Sequence, residues 1–241
     1  IVFGFGFGLG IPFIGSAISL LYTGSQRDAM NTLNGLFPYA GTLLTYAVTM
    51  PLVKLLSSSW KFGLSLWGVV VFLVCLSWLF TTSKKDFTTT PSQAEASVPA
   101  GLGIYRKIWK RREIRLICII FMGDFFCYSY VAAILPTFLS EAGSISNTAA
   151  GVIAAIAFPG LGVLGCLLGG GIMNRFHVRR PCLIIGPAAE VAGIMAMLFL
   201  SLITENFILA ALGIGLFGFG GGIQMPAIYS VPMDLDGMTS Q

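Results

Sequence analysis

Two acids interrupt otherwise apolar runs of this 241-residue chain: Asp124, between Gly123 and Phe125, and Glu190, between Ala189 and Val191. Placing a charge at the mid-depth of a bilayer costs about 2.5–3.5 kcal/mol on insertion scales, so carboxyls in such runs point to proton carriage, solute binding or a buried pair. Tyr128 falls one helical turn beyond Asp124 and shares its face, whereas Tyr130 points elsewhere on the helix. Gln224, just after Gly218-Phe219-Gly220-Gly221-Gly222, can hydrogen-bond a solute. Asp124, Tyr128, Glu190 and Gln224 are the candidate substrate or proton site. Other chemistry has no foothold. The five cysteines, Cys75, Cys118, Cys127, Cys166 and Cys182, lack metal spacing and read as packing residues. The glycines Gly6, Gly8 and Gly10 lie inside an apolar run with no Gly-Lys-Ser/Thr, so they are no phosphate loop. The expectation is no enzyme, no cofactor and no metal.

The elements that position these residues follow from composition. Hydrophobic residues make up 56% of the chain and charged ones 10%, with mean hydropathy +0.86. A water-soluble surface cannot be covered with so few polar groups. Seven apolar runs have the roughly 20-residue length of a membrane helix, over about 2–22, 31–53, 62–80, 114–138, 148–171, 182–203 and 206–229. They lack the alternation of barrel strands, so the fold class is an all-α membrane protein. Short polar stretches such as 23–28, 57–59, 141–144 and 204–206 connect the runs.

Orientation follows from Lys and Arg, which collect on the cytoplasmic side. Placing the stretch Gly169–Pro181 with its Arg175, Arg179 and Arg180 inside also puts Arg27, the 81–113 region and the 230–241 tail inside, which with Arg115 at the inner edge of the next run accounts for 12 of the 14 basic residues. Only Lys54 and Lys61 fall outside. The amino end is then outside, and with no initiating Met the sequence reads as a fragment. Region 81–113 opens as a Ser/Thr/Pro-rich connector. It closes with Ile104, Tyr105, Ile108 and Trp109 opposite Arg106, Lys107 and Lys110, an interfacial helix on the headgroups rather than a nucleic-acid surface.

An internal repeat organises the whole. Gly6-Phe7-Gly8-Leu9-Gly10-Ile11 recurs as Gly218-Phe219-Gly220-Gly221-Gly222-Ile223, and Pro12 and Pro226 follow the two copies. The repeat makes the first and seventh runs equivalent and the unit six helices. Glycines this dense let helices approach and bend, as helices lining a gated cavity must. Pro12, Pro136, Pro159 and Pro226 can supply kinks. Asn31 and Asn34 read as caps or helix contacts, and His177 as an interface residue. With no Lys or Arg inside a run beyond Arg115 at the very start of 114–138, an anionic solute would need its cation from a helix end or from further helices.

These residues resemble the major facilitator superfamily, whose basic motif G-x-x-x-D-R-x-G-R-R is matched by Gly170, Asn174, Arg175, Arg179 and Arg180. His177 stands where Gly is usual, Val178 is an extra residue, and Asn174 lacks the acid that latches neighbouring helices in the family. Trp60-Lys61-Phe62 looks like the family's lead-in to helix six. The resemblance implies two six-helix halves, with 1–80 ending the first, 81–113 the central cytoplasmic loop and 114–241 opening the second. It implies a secondary transporter of a small solute in the bilayer, working by alternating access and driven by an ion gradient, with protons and symport the candidate coupling, or by the solute's own gradient. The conformational gate would be Gly170, Asn174, Arg175, Arg179 and Arg180, with Gly6, Gly8, Gly10, Gly218, Gly220 and Gly222 as cavity-helix glycines. The helix pattern and Leu135-Pro136-Thr137-Phe138-Leu139 look most like bacterial cyanate- and nitroimidazole-type carriers, which implies the bacterial cytoplasmic membrane. Two alternatives stand beside this: efflux of apolar compounds, against which the absent Gly-Pro-x-x-Gly-Gly pattern counts, and a non-transporting sensor or scaffold.

Overall fold

The computed structural model describes residues 14–19, 21–55, 60–81, 109–142, 144–200 and 207–234. Among them six helices are long and apolar enough to cross a membrane. They are α1 (Gly24–Leu55), α2 (Trp60–Thr81), α3 (Arg112–Ala142), α4 (Asn147–Ala155) running through a π-helical turn (Ile156–Gly160) into α5 (Leu161–Phe176), α6 (Arg180–Met195) and α7 (Phe207–Asp234). Most of the first expected span, including Gly6, Gly8 and Gly10, lies outside the described residues. So do 82–108 of the central region, with the amphipathic run up to Ile108.

The helices overrun the sequence limits at their polar ends. The stretch 24–30, expected to be a polar connection followed by a span from 31, is the first two turns of α1. Asn31 is therefore no cap: it is fully buried and its amide donates to Ser230 Oγ of α7 at 3.1 Å. The basic stretch 169–181 is likewise mostly helical. α5 continues to Phe176, and only His177, Val178 and Arg179 separate it from α6. His177 takes a left-handed conformation, φ 53°, and its N–H closes the helix on Met173 O. That explains why a glycine suits this position of the motif.

α7 is the axis of the bundle. It is apolar on every side, and a helix of that kind is stable only when enclosed. α5 and α6 cover two of its sides at glycine contacts. α6 meets it through Gly186 and Gly193 against Gly220 and Gly213, and α5 through Gly165 and Gly169 against Phe219 and Ile223. Small residues let backbones touch, which is how helices associate where lipid removes the hydrophobic driving force. α1 lies along a third side, antiparallel, with Gly35 on Met225 and Tyr39 on Gly221. α1 also runs parallel to α3: Thr42 bonds Tyr128 and Tyr46 bonds Ala132 O, both 86 residues apart. α2 is the contrast. Its Val69–Val74 stretch is exposed along its length, as a lipid-facing helix must be. Of the cysteines, only Cys166 and Cys182 are buried. Cys75 and Cys118 are exposed, so packing does not account for them.

The π turn has an evident cause. Pro159 has no N–H to give to Ala155 O, and its ring crowds that carbonyl. The chain widens, and Leu161 N–H reaches back to Ile156 O instead. The widened turn carries Phe158, which is fully buried.

Candidate substrate and proton site

At the level of the π turn the bundle centre is aromatic. Phe158 meets Tyr128 at 5.1 Å between ring centroids, Tyr39 at 6.1 Å and Phe217 at 5.7 Å, while Tyr39 and Tyr128 meet edge-on at 5.3 Å. α3 brings Asp124 to this cluster from one side, roughly 18 Å along its axis from Arg112. α7 brings Gln224 from the other. Gln224 Nε2 donates to Asp124 Oδ1 at 2.7 Å, with Asp124 6% exposed and Gln224 fully buried.

Glu190 joins them. Although the family resemblance makes its helix peripheral, the glycine contact between α6 and α7 carries its carboxyl past Gly220, where it interacts with both Asp124 and Gln224. A Cβ on Gly221 would lie 2.7 Å from Glu190 Oε1 and would also strike the Tyr39 hydroxyl. Asp124 Oδ2 and Gln224 Oε1 have no hydrogen-bond partner among the described residues. The centre is thus two carboxyls and an amide with acceptor capacity to spare. Every Lys and Arg among the described residues lies near a helix end.

The four expected site residues do not all converge in the same way. Asp124, Gln224 and Glu190 meet. Tyr128 shares the Asp124 face but spends its hydroxyl on α1, at 2.5 Å from Thr42 Oγ1. Tyr130 is exposed. Sequence reasoning missed Tyr39, whose hydroxyl reaches Gly221, and Thr42. A tyrosine in the apolar run of α1, on the face shared with Asn31 and Thr42, was the available signal. Gly218 and Gly222 lie against Phe158 and Gly162, and Gly220 against Gly186 and Glu190.

One end of the bundle is tied shut. Arg179 donates to Asp28 Oδ1 of α1 at 3.2 Å, with Asp28 buried. Gly170 lies against Thr32 of α1, and Asn31 holds Ser230. The motif residues therefore divide: Gly170 and Arg179 touch α1, while Asn174, Arg175 and Arg180 are exposed. Arg175 lies over the Phe176 ring, 5.8 Å from its centroid. The acid absent at Asn174 has a counterpart in Asp28, on a different helix.

The ion pair makes a prediction. A partly buried pair worth about 1 kcal/mol shifts a two-state equilibrium about fivefold. Asp28→Lys is expected to raise alkylation of Cys182, buried next to this contact, by about that factor. The double variant Asp28→Lys/Arg179→Asp should bring it back. Mass-mapped maleimide labelling in membranes reads both, and equal labelling of all three proteins would remove Asp28 from the closure.

At the opposite end α1, α3 and α4 part around a polar cavity of about 650 Å³ lined by Thr45, Tyr46, Thr49, Pro136, Thr137, Ser140, Glu141 and Asn147. Trp67 of α2 closes its side by donating to Thr49 Oγ1 at 2.7 Å.

Compared with known proteins, the chain matches the family model described as Major Facilitator Superfamily over residues 1–239. No curated protein and no solved structure matches it.

Proposed function

We propose, from the premise that the chain belongs to the major facilitator superfamily, a family of secondary transporters and not of enzymes, that it moves a small solute in step with protons. The observation that carries this reading is the Asp124–Gln224 contact with Glu190 against it. Two carboxyls sharing one amide inside a membrane, with no cation beside them, lose their charges only by binding protons. A pair that can be presented to either side in turn is a proton carrier.

The reading assigns α1 and α2 to one helix bundle and α3 to α7 to the other, with 81–113 as the cytoplasmic connection between them. Alternating access is then rocking between these two groups along the seam of α1 against α3, α5 and α7. The excess of Lys and Arg puts the Asp28–Arg179 end in the cytoplasm, so the arrangement described is closed inside and open outside. Gly170 and Arg179 act as the inner gate against α1, and Gly218, Gly220 and Gly222 as the contacts about which the second bundle holds its shape. The bacterial cytoplasmic membrane, where a proton gradient is available, fits this role.

The test is transport. Vesicles reconstituted with the chain are given a panel of small solutes with and without an imposed pH gradient, and internal pH is followed by dye. Solute flux that scales with the gradient and carries protons with it is expected. Flux indifferent to the gradient, with no proton movement, would sink the coupling. No flux for any solute would favour a sensor.

A further inference from the structure

We infer that the outer cavity captures a protonated amine, with Glu141 as its counter-charge, and passes it along the seam of α1 and α3 towards Asp124. The inference names a substrate class for the transport reading above and rests on that reading for the second step only. The cavity's hydroxyls have largely spent their protons. Thr45 donates to Gly41 O at 2.9 Å, Tyr46 to Ala132 O, and Ser140 to Thr137 O at 2.8 Å. What these three hydroxyls turn to a solute is lone pairs, and a carboxylate offers only lone pairs.

Thr49, Thr137 and Asn147 keep donors, enough to orient a neutral group but not to balance a negative charge. Among the described residues Glu141 is the single formal charge on the lining. Lys61, exposed at the same end, is not part of it.

Deeper in, the same preference continues. Beyond the Thr42–Tyr128 pair come ring faces: Phe125 stacks on Tyr128 at 6.0 Å, and Tyr128 meets Phe158. The faces of such rings attract cations. Beyond them are the unpartnered Asp124 Oδ2 and Gln224 Oε1. An ammonium group, with three donors and a positive charge, finds acceptors or ring faces at each level. A carboxylate finds the three donors of the cavity lining, faces Glu141 there, and meets ring faces and acceptors further in. The volume, about 650 Å³, lies in the range of small-molecule sites.

Three probes of similar shape and different charge test this: benzylammonium, benzyl alcohol and benzoate, titrated onto the full chain in vesicles. Tryptophan fluorescence is the readout, because Trp67 is bonded to the lining residue Thr49, and Trp67→Phe identifies its share of the signal. A saturable response to benzylammonium alone is expected, weakened about tenfold in Glu141→Gln, the loss of one charge-assisted contact. Glu141→Lys should transfer the response to benzoate. Glu141 is exposed, so neither variant threatens folding. A response to benzoate or benzyl alcohol as tight as that to the amine overturns the inference, as does an unchanged titration in Glu141→Gln or no saturable response at all. Failure of proton coupling is separate: it appears in flux and leaves the titrations intact.

Discussion

Asp124→Asn is expected to lower gradient-driven uptake far more than solute exchange. The asparagine has the same shape and can still bond the Gln224 amide, so the helices keep their contact. What it cannot do is take up and release a proton. Net uptake should therefore fall roughly ten- to a hundredfold, about 1.4–2.7 kcal/mol at the coupled step. Solute exchange between equal pools on the two sides requires no net proton movement, so it should fall less than uptake does. Glu190→Gln, which leaves the Asp124–Gln224 contact in place, should reduce uptake less than Asp124→Asn. The comparison separates a proton carrier from a packing residue, because a packing residue would lower exchange and uptake together. Uptake unchanged by Asp124→Asn would return the acid to packing.

The second large effect is structural. A Cβ at Gly220 would lie 2.6 Å from Gly186 O and 2.8 Å from Glu190 N, both backbone atoms of α6. Neither can rotate away, so Gly220→Val has to push α6 from α7. Overpacking of this kind costs about 1–3 kcal/mol, which for a domain of this size lowers the thermal midpoint by about 5 °C. It also draws Glu190 off Asp124, so transport should fail at temperatures where the protein is still folded. Gly171→Val is the control: Gly171 is exposed and a Cβ there meets nothing within 4 Å. Unfolding in detergent followed by size exclusion measures both, and equal midpoints would mean that the α6–α7 contact is not what holds the bundle.

How much of this could be read beforehand depended on whether a residue's role is local. Asp124 was legible because a carboxyl in an apolar run stands out whatever surrounds it. Gln224 was legible for the same reason. The helical class needed only hydropathy. Glu190 was visible as a charge, but its meeting with Asp124 depends on how closely α6 approaches α7, which is set by Gly186 and Gly220 from separate helices. Asp28 was passed over as a loop residue, since 24–30 is polar. It becomes informative only once α1 is seen to start at Gly24 and to run beside the α5–α6 connection. Tyr39 gave little signal: a tyrosine among apolar residues reads as packing until the glycine opposite its hydroxyl is known.

The π turn at Ile156–Gly160 sets the phase of the helix that contains it. An α-helix turns about 100° per residue, and the wider turn absorbs an extra residue without lengthening the helix in proportion. Ala150 and Ala154, before the turn, belong to the same buried cluster as Val131, Leu135 and Leu139 of α3, while Gly165 and Gly169, after it, face α7. Both alignments hold only with the chain length present between them. Removing a single residue from 156–160 would turn one half against the other by about 100°, so either the outer half would lose α3 or the inner half would lose its seat on α7. Along this segment the number of residues is as much a part of the code as their identity.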